Sequence, residues 1–322
     1  MPNVQWLRRI RNRLKSWRSN RSILRAYGTL HPARVQLGPN SHWIHLDPSD
    51  PRARKVLLAD PLRRRFRINL RFWWLANEFW QPAVVVDVGL NYGEGLFSAR
   101  YPGSVRAHGF EANPNLAPFL EQTRAEHPDA DRIFLHFGVV SDVENQAVPF
   151  HIDTHWSGGS TAGGEARDPS RYQTQMVNST TVDNALAADY RLIESGTLLF
   201  KVDVEGFEER VLSGMSKSLA AARNAVGLVE FSPTLLKSAK TDVARYWAWL
   251  AARFDRITFL RRTRLIDVSG RSFVAACATL GTDDPHGDLL LVKADAENRA
   301  REFLERLSSQ TQFPSPPNKS KP

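Results

Sequence analysis

From residue 83 onward, short apolar runs alternate with stretches of helical periodicity, the pattern of an α/β chain. The runs at 83–88, "SVRAHGFEANP" (104–114, ending as a strand at Glu111), "RIFLHFGVVSD" (132–142), "AVGLVEFSP" (225–233), 256–260 and "DLLLVKA" (288–294) read as strands. "GTLLFKVDVEGFEERVLSGM" (196–215) reads as a buried strand, a turn and a helix. Further helices are predicted at 94–101, over "NLAPFLEQTRAEH", around 241–253 and over "ENRAREFLERL". The polar stretch "HIDTHWSGGSTAGGEARDPSRYQTQ" shows no clear periodicity and is long enough for an active-site loop. After it, "MVNSTTVDNALAA" (176–188) suggests a short strand and a helix capped near Asp183. One domain is expected over 83–307, and the Ser/Pro/Lys-rich tail at 308–322 is expected to be disordered.

The first 82 residues follow a different pattern. Residues 1–28 place Leu7, Ile10, Leu14 and Trp17 at helical spacing, with eight Lys/Arg between Arg8 and Arg25. The segment reads as a basic amphipathic helix. Residues 29–82 read as lead-in elements packing on the core: a short strand in "HWIHL", a helix after Asp50, and a helix with Phe72, Leu75, Ala76 and Phe79 on one face. Its tryptophans Trp73, Trp74 and Trp80 are too many for an open surface, and the element is expected to cover one edge of the main sheet.

Charge sharpens that division. The net charge is +9, yet residues 1–72 hold 17 Lys/Arg against three acids, a net of +14, which leaves the remainder at −5. The basic excess therefore concerns partners of the N-terminal region and not the fold of the body. Three readings of the helix stay open: docking on the chain's own core, contact with an anionic membrane surface or protein partner, and a nucleic-acid arm. The acidic body disfavours nucleic acid. A single cysteine, Cys277, excludes an intrachain disulfide, and no apolar leader is present, so a cytoplasmic place is expected, peripheral at the membrane if the helix docks there.

The stretch "VVVDVGLNYGEG" carries the first chemistry. A strand breaks at Asp87 into glycines 89, 93 and 95, a turn of the kind that holds nucleotide-like ligands. The spacing is not that of a dinucleotide fingerprint, and no Gly-Lys-Ser/Thr of a phosphate loop follows. Glu111 ends the next strand 18 residues after Gly93, close to the spacing at which a carboxylate grips ribose hydroxyls. Nicotinamide and adenosyl cofactors both use such a residue.

Four stretches in order, "DVGLNYGEG", "FEANP", "KVDVEGFEERVLSGM" and "LVEFSP", make the chain resemble the FkbM-type family of S-adenosylmethionine-dependent methyltransferases. The resemblance spans roughly 83–233, with Ala112 where the family usually has proline and Leu90 where alanine is common. It implies a class I methyltransferase fold: an α/β, doubly wound, seven-stranded mixed sheet with the last strand antiparallel, here with an N-terminal helical extension. It implies S-adenosylmethionine at the carboxyl ends of the strands. Asp87, Gly89, Asn91, Gly93, Glu111, Asn113 and Asp203 are then expected around the cofactor, with Glu111 on the ribose and Ser141 and Asp142 near adenine. It also implies an acceptor hydroxyl on a sugar, glycan or natural-product-type metabolite.

A neutral hydroxyl must lose its proton during attack, which calls for a base or a metal. Asp203 and Glu205 alternate in "KVDVEG" with Lys201 on the same face, and Glu230 ends the following strand. Asp203 and Glu230 are the pair that would hold a divalent cation if the chemistry uses one. His155 in the polar loop is a further candidate base, and Trp156, Ser160 and Thr161 are candidates to meet the acceptor. The alternatives are a methyltransferase fold that docks through its basic N-terminus without turnover, and a nucleic-acid methyltransferase.

Overall fold

The computed structural model describes residues 4–37, 42–58, 68–164, 168–261, 264–295 and 297–309, with side chains from residue 16 onward and Ile68 excepted. Helix α1 (Val4–Tyr27) leads into paired strands β1 (Arg34–Gln36) and β2 (Trp43–His45), then α2 (Pro51–Leu57) and α3 (Ile68–Trp80). Strands β3 (Val84–Val88), β4 (Arg106–Glu111) and β5 (Ile133–Phe137) follow, with α4 (Ala117–Ala125) between the last two. A three-stranded insertion comprises β6 (Val139–Val140), β7 (Ala147–Asp153) and β8 (Tyr172–Thr180). Next come α5 (Val182–Ala185), α6 (Tyr190–Ser195), β9 (Thr197–Val202), α7 (Glu208–Ser213), α8 (Ser216–Ala221) and β10 (Asn224–Phe231). The chain closes with α9 (Pro233–Ser238), α10 (Val243–Ala251), β11 (Arg256–Arg261), β12 (Arg264–Asp267), α11 (Phe273–Leu280), β13 (Gly287–Lys293) and α12 (Glu297–Ser309).

The main sheet runs β12-β11-β13-β10-β9-β3-β4-β5. Strands β10, β9, β3, β4 and β5 are parallel, and β13 is antiparallel to both β10 and β11. This is the class I methyltransferase architecture expected from the sequence, with an eighth strand added. The extra one, β12, only turns back along β11 at the edge, and its residues are exposed or half-buried, so it left no apolar run to read.

All five residues of β3 are buried, as strands covered on both faces require. Val84, Val86 and Val88 join one core with Phe200 and Val229, while Val85 joins the other with Leu199 and Val226. Asp87 shares the pleat face of Val85. Helices α3 and α12 pack together on that second face, where Phe72, Phe79 and Trp80 meet Phe303. The lead-in helix α3 therefore covers a face near β9 and not the sheet's edge; its apolar stripe is too wide for an edge position.

Other local expectations are corrected as well. The helix expected at 94–101 is a single 3-10 turn, Leu96–Ser98, because the two glycines and the following Pro102 do not sustain a longer ladder. The strand expected over 132–142 breaks after Phe137, and Val139–Val140 pair with β8 instead. Thr181 caps α5 by accepting from the Asn184 N–H at 3.1 Å, whereas the Asp183 carboxylate takes the N–H groups of Lys217 and Ser218. The polar stretch is partly a hairpin, β7 with β8, hidden from periodicity because β8 is mostly solvent-facing. Helix α12 runs to Ser309, past the expected start of the tail, and residues 310–322 lie outside the described residues.

In α1, the side chains of Leu7, Ile10 and Leu14 lie outside the described residues. Its last turns dock on α2: Ile23 is buried, Arg54 donates to Asn20 Oδ1, and the Tyr27 hydroxyl donates to the Leu57 carbonyl. Among the described residues, no helix is long and apolar enough to cross a membrane.

Candidate active site

The strand order reverses between β3 and β9, and the turns leaving both strands open a crevice at their carboxyl ends. Gly89 has φ +79°, and a Cβ there would lie 1.9 Å from the Asp203 carbonyl oxygen. Only glycine lets the two turns come this close. The Asp203 N–H donates to the Val88 carbonyl at 3.1 Å, which locks the end of β9 to the end of β3.

Asn91, at φ +50°, directs its backbone N–H to Glu111 Oε2 at 2.7 Å. The Asn113 N–H reaches the other oxygen at 2.8 Å. Glu111 is thus held by two backbone donors in a buried position, and burial pushes its carboxyl up to about 7 despite them. Asn91 Nδ2 donates to Ser157 Oγ at 3.0 Å, while its Oδ1 is buried with no hydrogen-bond partner among the described residues.

Lys201 Nζ lies 3.3 Å from Asp87 Oδ1, 3.3 Å from the Gly89 carbonyl and 3.5 Å from Asp203 Oδ2. Burial alone would lower the ammonium's pKa, but Asp87, Asp203 and Glu94 outweigh it, and the net shift is upward. Asp87 moves up to about 6, because burial exceeds the pull of Lys201. Asp203 belongs to a second group: carboxylate oxygens of Asp203, Glu205 and Glu230 lie within 4.8 Å of one another. Burial first, then Asp203 and Glu205, push Glu230 up to about 10, so it keeps its proton at neutral pH. Glu205 adopts φ +56°, a conformation a non-glycine residue holds only when its surroundings fix it. Two contacts do so: Glu208 accepts from the Val204 and Gly206 N–H groups at 3.1 Å each, and the Thr161 hydroxyl donates to the Glu205 carbonyl at 3.0 Å.

The lead-in elements supply one wall. Asp50 caps α2 by accepting from the Arg52 N–H, and its second oxygen accepts from the Tyr92 hydroxyl at 2.8 Å, which ties the helix start to the glycine turn. Arg52 Nη2 pairs with Glu94 Oε1 at 2.5 Å. The Lys55 ammonium sits 3.5 Å from the centroid of the Trp156 ring.

These walls enclose a cavity of about 420 Å³, within the range of small-molecule sites. Of the residues singled out from sequence, Asp87, Gly89, Asn91, Glu111, Trp156, Ser160, Asp203, Glu205 and Glu230 line it. Six others do not. Gly93 closes the turn on the Leu90 carbonyl, and Asn113 caps the 3-10 turn after β4. Ser141 donates to Asp142, which pairs with Arg210 at 3.0 Å on the outer side of α7. His155 is exposed beyond the hairpin, its N–H on Asp153, and Thr161 is buried beneath the Glu205 turn. The sequence reading missed Arg52, Lys55, Glu94, Val139, Phe207, His286 and Asp288, which also line the cavity. Asp288 had a usable signal: it opens the antiparallel β13 opposite Glu230.

The cavity fits S-adenosylmethionine in kind. Glu111 is an acceptor for a diol, Val139 and Phe207 are apolar surface for a base, and four buried polar atoms of lining residues, Asn91 Oδ1, Arg52 Nη1, Trp73 Nε1 and Glu230 Oε2, have no hydrogen-bond partner among the described residues.

A sequence profile described as the methyltransferase FkbM domain matches residues 87–257, just over half of the chain. No curated protein matches it. Among solved structures, the O-methyltransferase from Bacillus cereus in complex with SAH is 10% identical, with 70% of this chain and 79% of that one covered and a TM-score of 0.35. The O-methyltransferase TomG from Streptomyces achromogenes, in complex with SAM, is 15% identical over 71% and 79% of the two chains, with a TM-score of 0.36. A methyltransferase from Geobacter sulfurreducens is 16% identical over 70% and 80%, with a TM-score of 0.35. The assignment rests on the profile match, which includes the glycine turn, Glu111 and the Lys201–Glu205 turn. The chain belongs to the FkbM family of S-adenosylmethionine-dependent methyltransferases.

Proposed function

We propose that this methyltransferase acts on a hydroxyl oxygen of a sugar, glycan or natural-product-type metabolite. The observation that carries the reading is the carboxylate group of Asp203, Glu205 and Glu230 at the rim of the cavity, beside Lys201. Bound S-adenosylmethionine supplies a methyl group already activated on a sulfonium. What the protein must add is alignment and a place for the acceptor's proton.

Glu111 accepts the ribose hydroxyls, Gly89 and Asn91 line the methionine side, and Val139 with Val140 gives the adenine an apolar wall. Asp203 is the base: its side chain is 41% exposed, open enough to meet an acceptor, and its Oδ2 lies 3.5 Å from the Lys201 ammonium. Glu230, which keeps its proton, donates a hydrogen bond to a second oxygen of the acceptor. Trp156 and Ser160 give that acceptor an aromatic edge and a hydroxyl partner. The test is transfer from isotopically labelled cofactor onto a panel of polyols and sugars. Asp203→Asn should lower turnover at least about a hundredfold while cofactor affinity stays within about twofold. A labelled nitrogen in the product, or undiminished turnover, contradicts the reading.

A second reading concerns the N-terminal helix. Trp17 and Leu24 of α1 are 56% and 50% exposed, with Arg18, Arg21 and Arg25 exposed beside them. An aromatic anchor among cations suits the surface of an anionic bilayer. Vesicles rich in phosphatidylglycerol should sediment the protein, neutral phosphatidylcholine vesicles should not, and Trp17→Ser with Leu24→Ser should abolish the difference.

A further inference from the structure

The methionine end of S-adenosylmethionine carries a carboxylate, and a partly enclosed cavity must answer that charge. Four lining residues can be cationic: Arg52, Lys55, Lys201 and His286. Lys201 is engaged by Asp87, Gly89 and Asp203. The Lys55 ammonium lies over Trp156, and His286 is two-thirds exposed at 66%, facing Glu230 at 3.9 Å. Arg52 differs from all three. Its Nη2 pairs with Glu94 in the glycine turn, while its Nη1 is buried and makes no hydrogen bond among the described residues. An arginine bound through one nitrogen and buried at the other is half of a two-point grip.

Its position suits the methionine end of the cofactor. With the ribose on Glu111 at the end of β4 and the adenine toward Val139 and Val140, the methionine extends the other way, over β3 and β9. That is where Glu94 holds Arg52. The position is also rigid, because Asp50 accepts from both the Arg52 N–H and the Tyr92 hydroxyl. Residue 52 lies outside the family match at 87–257, so the contact comes from this chain's own lead-in segment.

We infer that Arg52 holds the methionine carboxylate of S-adenosylmethionine through Nη1, so that the lead-in helix α2 completes the cofactor site. This rests on the cofactor reading above. Glu94, at Arg52's other side, offers the opposite charge to the methionine ammonium. The lead-in segment is then part of the catalytic unit and not a separate appendage.

The test compares S-adenosylmethionine with its decarboxylated form, which keeps the sulfonium, ribose, adenine and ammonium but lacks the carboxylate. Calorimetry on the full chain should show the parent bound at least about tenfold more tightly than the decarboxylated form, the worth of one charge-assisted contact. Arg52→Met should bring that ratio close to one by weakening the parent alone, and Arg52→Lys should keep part of it. A wild-type ratio near one overturns the Arg52 assignment while leaving the cofactor reading intact. So does an Arg52→Met or Arg52→Lys protein with the full wild-type ratio, or equal losses for both ligands. Failure of the wild type to bind either ligand overturns the cofactor reading itself.

Discussion

Lys201 Nζ stands 3.3 Å from Asp87 Oδ1, joining the penultimate residues of the neighbouring parallel strands β9 and β3 beneath the cavity floor. Asp87 is 2% exposed in its side chain, so the ammonium is the charge that keeps its carboxylate tolerable. Lys201→Met should therefore lower unfolding free energy by about 3 kcal/mol or more, as loss of one partner of a buried pair does. Adding Asp87→Asn should restore part of the loss in denaturant titrations. A single variant within about 1 kcal/mol of wild type would show the pair to be solvated after all.

Two buried carboxyls of the site should contribute less stability as pH rises. Burial lifts Asp87 from 3.8 to about 6 and Glu111 from 4.5 to about 7. Across that window the folded chain keeps protons that the unfolded chain has released, so the stabilisation present below about 4 is lost as pH passes about 7. Between pH 4.5 and 8 the wild-type unfolding midpoint should fall relative to that of Glu111→Gln, which cannot ionise, whereas His108 and His127, lowered by burial, contribute in the opposite sense to both proteins equally. Parallel curves for the two proteins would remove Glu111 from the effect.

The Thr161 hydroxyl donates to the carbonyls of Val204 and Glu205 at 3.2 and 3.0 Å, tying the hairpin insertion to the catalytic turn. Thr161→Val keeps the shape and removes the tie. Stability should drop by about 1 kcal/mol. Turnover should fall while cofactor affinity holds, because the turn that loosens carries Glu205 and not Glu111. Unchanged turnover would make the tie purely structural.

The three rim carboxylates are also the donor set a hard divalent cation would take. With Asp203 as the base, the proposed transfer needs no ion at that set. Turnover should survive exhaustive dialysis against chelator. A loss that magnesium restores would reassign Asp203 from base to ligand.

The parts of this site that were legible in the sequence are those built within single strand-turn units. Gly89, Glu111, Asp203 and Glu230 all sit at carboxyl ends of strands, where apolar runs stop at polar residues, and they converge because parallel strands end on one side of the sheet. Residues brought in from a distance were not legible. Arg52 reaches the cavity through a cap, a hydroxyl and an ion pair that join segments 42 residues apart, which no local pattern records. Conversely, Asp142 and His155 have suitable chemistry and lie close to lining residues in sequence, but the chain bends after Val140 and after Asp153 and takes them outward. The eighth strand was missed for a similar reason, since an edge strand with little burial has no alternation to show.

The most direct test of the account is calorimetric titration of S-adenosylmethionine into the full chain and into Glu111→Ala. The account predicts one site per chain in the wild type and at least about a tenfold loss of affinity when the ribose acceptor is removed. No binding to the wild type, or equal affinity for both proteins, would contradict it.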